Sequence, residues 1–321
     1  MNLRRLTSSM HTTDVLLIAW AVFLSVVNIA FSGRIPYWRI FLVLNTASVI
    51  FIVLLATARG RTNSRVIRIV HDWYIAPAVF LTFKQLYYLI KPIHLGADYD
   101  DWLIAADRWL FGVDPTVWLY RFAHPVLTEV LMIAYTLFYL LFLIIGYEFY
   151  RRNDRGAFHL FMFTCVYGFL LSYLGYFSLP AVGPRFTLHD FPALDRELPG
   201  LWLTPHLRWF VNAGESIPTG VPNDVALSLT QRDVFPSGHT MMTLVLVYFA
   251  WRYRMRARWF VTGTGVLLII ATVYQRYHYV VDLLAGALFM LFCVWSAPRL
   301  NRWIVTRLQT LERTLLQSSG A

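Results

Sequence analysis

The chain has 321 residues, of which 58% are hydrophobic, 17% aromatic and only 14% charged, with a mean hydropathy of +0.53. These values exclude an ordinary soluble domain and predict an all-α, polytopic integral membrane protein. The formal charge of +10 raises nucleic acid as a partner, but the basic residues sit in short clusters between apolar runs, a membrane-topology signal rather than a binding stripe.

At about 20 residues per crossing, eight apolar runs read as transmembrane helices: roughly 15–32, 38–57, 73–91, 125–148, 158–178, 237–251, 259–275 and 278–298, the sixth and seventh being short. The first run is long enough to span and lacks a cleavage site, so no signal peptide is expected. Arg4 and Arg5 precede the first run, and Arg59, Arg61, Arg65 and Arg68 follow the second. Arg151, Arg152 and Arg155 lie between the fourth and fifth, Arg252, Arg254, Arg256 and Arg258 between the sixth and seventh, and Arg299, Arg302, Arg307 and Arg313 after the eighth. With eight spans all five clusters fall on one side, which the positive-inside rule makes cytoplasmic together with both termini. The expected organisation is a two-helix appendage, 1–72, on a six-helix core, 73–298, followed by a cytoplasmic tail, 299–321. Cys165 and Cys293 lie within apolar runs and are expected as small buried hydrophobes rather than a disulfide or a metal pair.

Two long connections face the other side. The first, about 92–124, carries Asp98, Asp100, Asp101, Asp107 and Asp114 with Trp102, Trp109 and Trp118 interleaved. From Asp98 to Leu110 it reads as an amphipathic interfacial helix ended by Phe111-Gly112. The acidic residues are expected on a solvated face, with a divalent-cation site as the rival reading. The second connection, about 179–236, is rich in Pro and Gly and predicts a short amphipathic helix near Leu201–Val211. Connections of this length commonly form a lid or rim over a site.

The chemistry concentrates in two stretches, Phe235-Pro236-Ser237-Gly238-His239-Thr240 and Arg276-Tyr277-His278-Tyr279-Val280-Val281-Asp282. Each opens an apolar run and is therefore expected at a helix N-terminus, where unpaired N–H groups and the helix dipole suit a phosphate. His278 and Asp282 are four apart and share a helix face, so the carboxylate can orient the imidazole and fix its tautomer. His239 adds a second imidazole from a neighbouring helix. Ionisable groups at membrane depth are costly and point to function; two histidines and an aspartate facing a phosphate supply a nucleophile, an orienting group and a general acid.

Pro236-Ser237-Gly238-His239 resembles the second signature of the type 2 phosphatidic acid phosphatase superfamily, and His278-x-x-x-Asp282 resembles the core of its third. The resemblance covers roughly residues 73–298 and implies a six-helix core. It implies His278 as the nucleophile forming a phosphohistidine, Asp282 as its orienting group and His239 as the acid that protonates the leaving oxygen. Ser237 and the Gly238 backbone would line the phosphate pocket.

The chain also departs from the family pattern. The usual Lys-x6-Arg-Pro signature has its nearest counterpart in Pro180–Arg185, so Arg185 is the candidate phosphate arginine, while the lysine position falls on Ser178. The arginine usual six residues before the third-signature histidine is Thr272 here, and Arg276 is the substitute candidate; a phosphate needs such bidentate donors. These departures resemble the branch of inositol phosphorylceramide and sphingomyelin synthases, as do Pro180-Ala181-x-x-Pro184, Leu110-Phe111-Gly112 and Tyr277-His278-Tyr279-x-x-Asp282-Leu283. Lys84 is either a stand-in for the missing lysine or the partner of Glu129. Arg232 and Asp233 are expected as a loop pair and a helix cap.

The sequence therefore predicts an enzyme acting on a lipid phosphate at the non-cytoplasmic face, without metal or other cofactor. A phospholipid or lipid phosphate is the donor, and a lipid hydroxyl, a polyol hydroxyl or water is the acceptor. Head-group transfer is favoured, because a thin set of cations suits a phosphodiester. Hydrolysis of phosphatidic acid or an isoprenoid phosphate is the alternative. A non-enzymatic lipid-binding or transport protein is a further one, against which stands the lack of inverted repeats.

Overall fold

The computed structural model describes residues 7–318; Arg4 and Arg5, the first basic cluster, lie outside them. Among the described residues the fold is all-helical, without strands. The main helices are α1 Thr12–Ala30, α2 Trp38–Arg61, α3 Arg65–Trp73, α4 Ile75–Ile93, α5 Asp100–Phe111, α6 Pro125–Thr136, α7 Phe138–Arg151, α8 Arg155–Ser178, α9 Thr204–Gly214, α10 Gly238–Arg252, α11 Arg258–Tyr274 and α12 Val280–Ser318.

Among the described residues five segments are long and apolar enough to cross a membrane: α1, α2, the joined Arg65–Ile93, α8 and Val280–Leu315 of α12. A sixth results if α6 and α7, bent by 47° at Leu137, count as one crossing. The remaining two apolar runs form α10 and α11, of 15 and 17 residues, shorter than the roughly 20 residues of a typical crossing. The protein is thus of the integral-membrane type.

Packing divides the chain into two compact units. One comprises 1–93, 154–170 and 292–321, the other 94–153 and 171–291. In the first unit α1 packs along α2, and a cluster of Phe163, Ala297 and Ile304 is covered by Val15, Leu16 and Tyr167. Cys165 and Cys293 are buried free thiols, and Cys293 Sγ points to the Thr164 carbonyl at 3.7 Å.

In the second unit α11 packs against α10 and α6. The amphipathic helix predicted in the first connection is α5, closed by Gly112 in the left-handed region at φ 70°, a conformation that costs glycine least. The helix predicted in the second connection is α9, beginning three residues later than expected. Leu103 and Ile104 of α5 join Ala181, Val234 and Tyr279 in one apolar cluster. One face of α5 therefore holds three distant chain segments together.

The acidic face of α5 corrects the sequence expectation. Asp101 is exposed, but Asp100 and Asp107 are buried. Asp100 accepts the N–H groups of Val182 (3.0 Å) and Gly183 (2.8 Å) and the Tyr279 hydroxyl (2.8 Å). Asp107 accepts those of Val280 (2.9 Å) and Val281 (2.8 Å). These carboxylates serve backbone that would otherwise be buried without partners. Burial raises the pKa of each and the backbone N–H bonds oppose it, with a net rise. Asp98 pairs with Arg232 at 3.0 Å and Asp114 with Arg108 at 2.8 Å.

Candidate active site

The two motif stretches and the Pro180–Arg185 loop interlock in the second unit. Ser237 caps α10, its Oγ accepting the Thr240 N–H at 3.2 Å, as a helix-capping serine does. Its own N–H donates to the Asp282 carbonyl at 3.0 Å, joining the starts of α10 and α12. Glycines permit the close approach. A Cβ on Gly286 would lie 2.7 Å from the Ser237 carbonyl oxygen, and one on Gly175 2.1 Å from the Pro236 ring. Gly183 (φ +94°) lets the 180s loop pass the Tyr277 carbonyl, which a Cβ would meet at 2.8 Å. The Arg185 N–H completes the join by donating to the Arg276 carbonyl at 3.0 Å.

This frame brings His239, His278 and Asp282 together. His278 and Asp282 are almost fully buried, at 4% and 0% exposure. His278 Nδ1 stands 3.4 Å from Asp282 Oδ2, a loose contact because the same oxygen accepts the Tyr279 N–H at 2.8 Å. Nδ1 of His278 and Oδ1 of Asp282 are both buried without hydrogen-bond partners. The His278 ring also hydrogen-bonds the Val234 backbone. The His239 and His278 rings lie edge to face with centroids 6.0 Å apart, so one phosphoryl group can touch both. Tyr135 stacks on His239 at 4.7 Å and on Tyr277 at 4.6 Å, and Phe138 flanks His239 at 4.6 Å. The result is an aromatic wall that excludes water from one side of the pair.

The two helix N-termini do not stand open to a ligand. Asp107 takes the first N–H groups of α12. The Gly238 N–H bonds the Tyr176 hydroxyl, and a Cβ on Gly238 would lie 2.4 Å from that hydroxyl. Ser237 and Gly238 thus border the site as framework, with their hydrogen bonds internal.

Among the candidate cations, Arg185 lies at the site. Its guanidinium covers the Tyr277 ring at 4.8 Å and ion-pairs with Glu215, with Nε left without a partner. Burial lowers its pKa, but Glu215, then Tyr277 and Tyr135, outweigh that and hold it raised. Arg276 takes a left-handed backbone (φ 65°) and turns its side chain to Glu197, with the Tyr120 ring 5.4 Å from its guanidinium. Lys84 lies in the other unit, on α4, with its ammonium 6.0 Å from the Phe80 ring. Glu129, its proposed partner, spends both oxygens on the 201–204 turn, accepting four backbone N–H groups and the Thr204 hydroxyl. Arg232 does form a loop pair, with Asp98, whereas the helix cap is Ser237.

Sequence spacing does not flag Tyr135, Glu215 or Arg208, which reach the site region from α6 and the second connection. Arg208 is buried and binds Asp195 (2.7 Å), the Leu198 carbonyl and Gln275 (2.9 Å). Asp100 and Asp107 did carry a signal: they are seven apart, with Leu103 and Ile104 between them on the same helix face.

Neither the curated proteins nor the solved structures contain a significant match to the chain. A family model described as the PAP2 superfamily does match, over residues 101–296. That span takes in α5, the whole of the second connection and both motif stretches, more than half of the chain. The chain belongs to the PAP2 superfamily, and with it to membrane enzymes of the lipid phosphatase and phosphotransferase type.

Proposed function

We propose that the protein is a lipid phosphotransferase that moves a phospho head group from a phospholipid to a lipid or polyol hydroxyl. The six-helix core, 73–298, carries the reaction at the non-cytoplasmic face, with both termini cytoplasmic. His278 attacks phosphorus and the bond to the donor's leaving oxygen breaks. His239 gives that oxygen its proton, and Asp282 holds the His278 ring and balances the charge it gains. The acceptor hydroxyl then attacks the phosphohistidine, its proton passing to His239, and His278 is released. Arg185 carries the phosphate oxygens. No step needs a metal.

The observation that supports transfer over hydrolysis of a monoester is the state of the arginines. Arg185, Arg208, Arg232 and Arg276, the buried arginines of this unit among the described residues, each have a carboxylate partner, in Glu215, Asp195, Asp98 and Glu197 respectively. A monoester dianion calls for uncompensated positive charge, whereas a diester carries about one negative charge fewer. This balance also fits the resemblance to the inositol phosphorylceramide and sphingomyelin synthase branch.

The test is purified protein given a phospholipid labelled at phosphorus, with and without a ceramide, diacylglycerol or polyol acceptor. Transfer predicts label on the acceptor and slow release of labelled head group to water without one. Rapid dephosphorylation of phosphatidic acid or an isoprenoid phosphate, with no acceptor ever labelled, would establish the hydrolase instead.

A further inference from the structure

The first unit contains a second group of imidazoles and carboxylates that the reaction does not use. His11 precedes α1, His71 and Asp72 end α3, and His159 lies in the first turns of α8. His71 and Asp72 are fully buried, at 0% and 1% exposure. The His11 ring lies 4.3 Å from that of His71 and 4.2 Å from that of His159. Ligating atoms of His11, Asp72 and His159 lie within 4.8 Å of one another, as do those of His11, Asp14 and His71.

The two trios differ in what their carboxylates already do. Asp14 accepts the His11 N–H (2.7 Å), the His71 Nε2 proton (2.9 Å) and the Tyr74 hydroxyl (2.6 Å). Its lone pairs are committed, and the His11 and His71 rings are stacked at 24°, which directs their nitrogens along parallel planes rather than to one point. The His11 and His159 rings are inclined at 53°, so their edges can converge. His11 and His159 also line a recess of about 440 Å³ bordered by Gly156, Asn301 and Glu312, which gives an ion a route in. His71, with Nε2 on Asp14, is thereby held as a brace beside His11.

We propose that His11, His159 and Asp72 form a divalent transition-metal site of the zinc class, with Asp14 and His71 bracing it. Two neutral imidazole nitrogens and one carboxylate, with water completing the shell, suit zinc or cobalt rather than magnesium or calcium. Asp14 plays the part of the outer carboxylate that fixes neighbouring rings in metal sites. Asp72 is shared with Arg155 at 2.9 Å and faces Arg59 at 3.7 Å, so the site is an exchangeable one that fills on titration. The ion ties α1, α3 and α8 together, and its binding therefore adds to the stability of this unit.

The test uses the full chain in detergent, carrying an affinity tag without histidines, stripped with chelator and titrated with cobalt and then zinc. The expected result is a saturable visible cobalt band at one ion per chain, displaced by zinc, and a rise in the unfolding temperature with either ion. His11→Ala and His159→Ala should lose the band, while His239→Ala keeps it. Because the two former variants can fail to fold, the wild-type titration stands as its own measure. Absence of a saturable band and of any thermal shift overturns the proposal. So does a band that survives His159→Ala, or one that disappears with His239→Ala.

Discussion

Among the described residues two buried histidine–aspartate pairs occur, and they are built to opposite specifications. In the first unit Asp14 holds His71 at 2.9 Å and takes two further short bonds, from Tyr74 and the His11 backbone. In the second unit Asp282 faces His278 at 3.4 Å, takes one backbone bond and keeps Oδ1 unpartnered. A carboxylate with all its lone pairs committed fixes a structure. One left underused in a buried site stores interaction capacity that a charge developing on its imidazole can claim. Burial and residue type are alike in the two pairs; the hydrogen-bond balance is what separates them, and with it the proposed catalytic pair from the bracing one.

Substitution should separate the two pairs. Asp282→Asn is expected to slow turnover by up to about 10⁴-fold, as when an orienting carboxylate is lost elsewhere, with the unfolding temperature little changed. Unfolding of this variant, with normal turnover of the folded remainder, would break the comparison. Asp14→Asn should act in the other direction. It leaves a buried network short of acceptors and costs about 2–4 kcal/mol, seen as a lower unfolding temperature while the folded fraction retains its turnover number. Asp107→Asn sits between them. Weakening the two bonds to Val280 and Val281 should cost about 1–2 kcal/mol and lower activity about tenfold through a displaced α12 start; an unchanged KM and kcat would show that α12 needs no such anchor.

The smallest effect is expected from pH. Burial, with the Arg276 charge adding to it, lowers the His189 pKa from the usual 6.5 to about 4. Between those values the unfolded chain takes a proton that the folded chain refuses, so stability falls as the pH drops from about 6.5 to 4 and this contribution is constant below. His189→Gln should therefore lose less unfolding temperature than the wild type between pH 7 and 4.5. Equal losses would show that another group carries the acid limb.

Much of the placement of the proposed catalytic pair was legible in the sequence because its determinants are local. Ser237, Gly238 and His239 are consecutive, and His278 and Asp282 are one helical turn apart, so a short string encodes both capping and facing. The destination of Arg276 was not legible. Its left-handed backbone turns it to Glu197, a partner fixed by the path of the second connection. The spacing of Asp100 and Asp107 signals their burial, but not their partners, because the N–H groups they serve belong to residues far along the chain. The bracing pair and its neighbours, drawn from residues 11, 14, 71, 72 and 159, have no common spacing for a sequence to display.

Rapid-quench labelling tests directly whether His278 carries the phosphorus. Purified protein is mixed with a phospholipid radiolabelled at phosphorus and stopped with alkali within one turnover. The expected result is label on the protein that is stable to alkali and released by acid, as a phosphorus–nitrogen bond is, mapped to the peptide containing His278 and absent in His278→Ala, which is also inactive. His278→Ala retaining near-normal turnover, or label borne by a different residue, would contradict it.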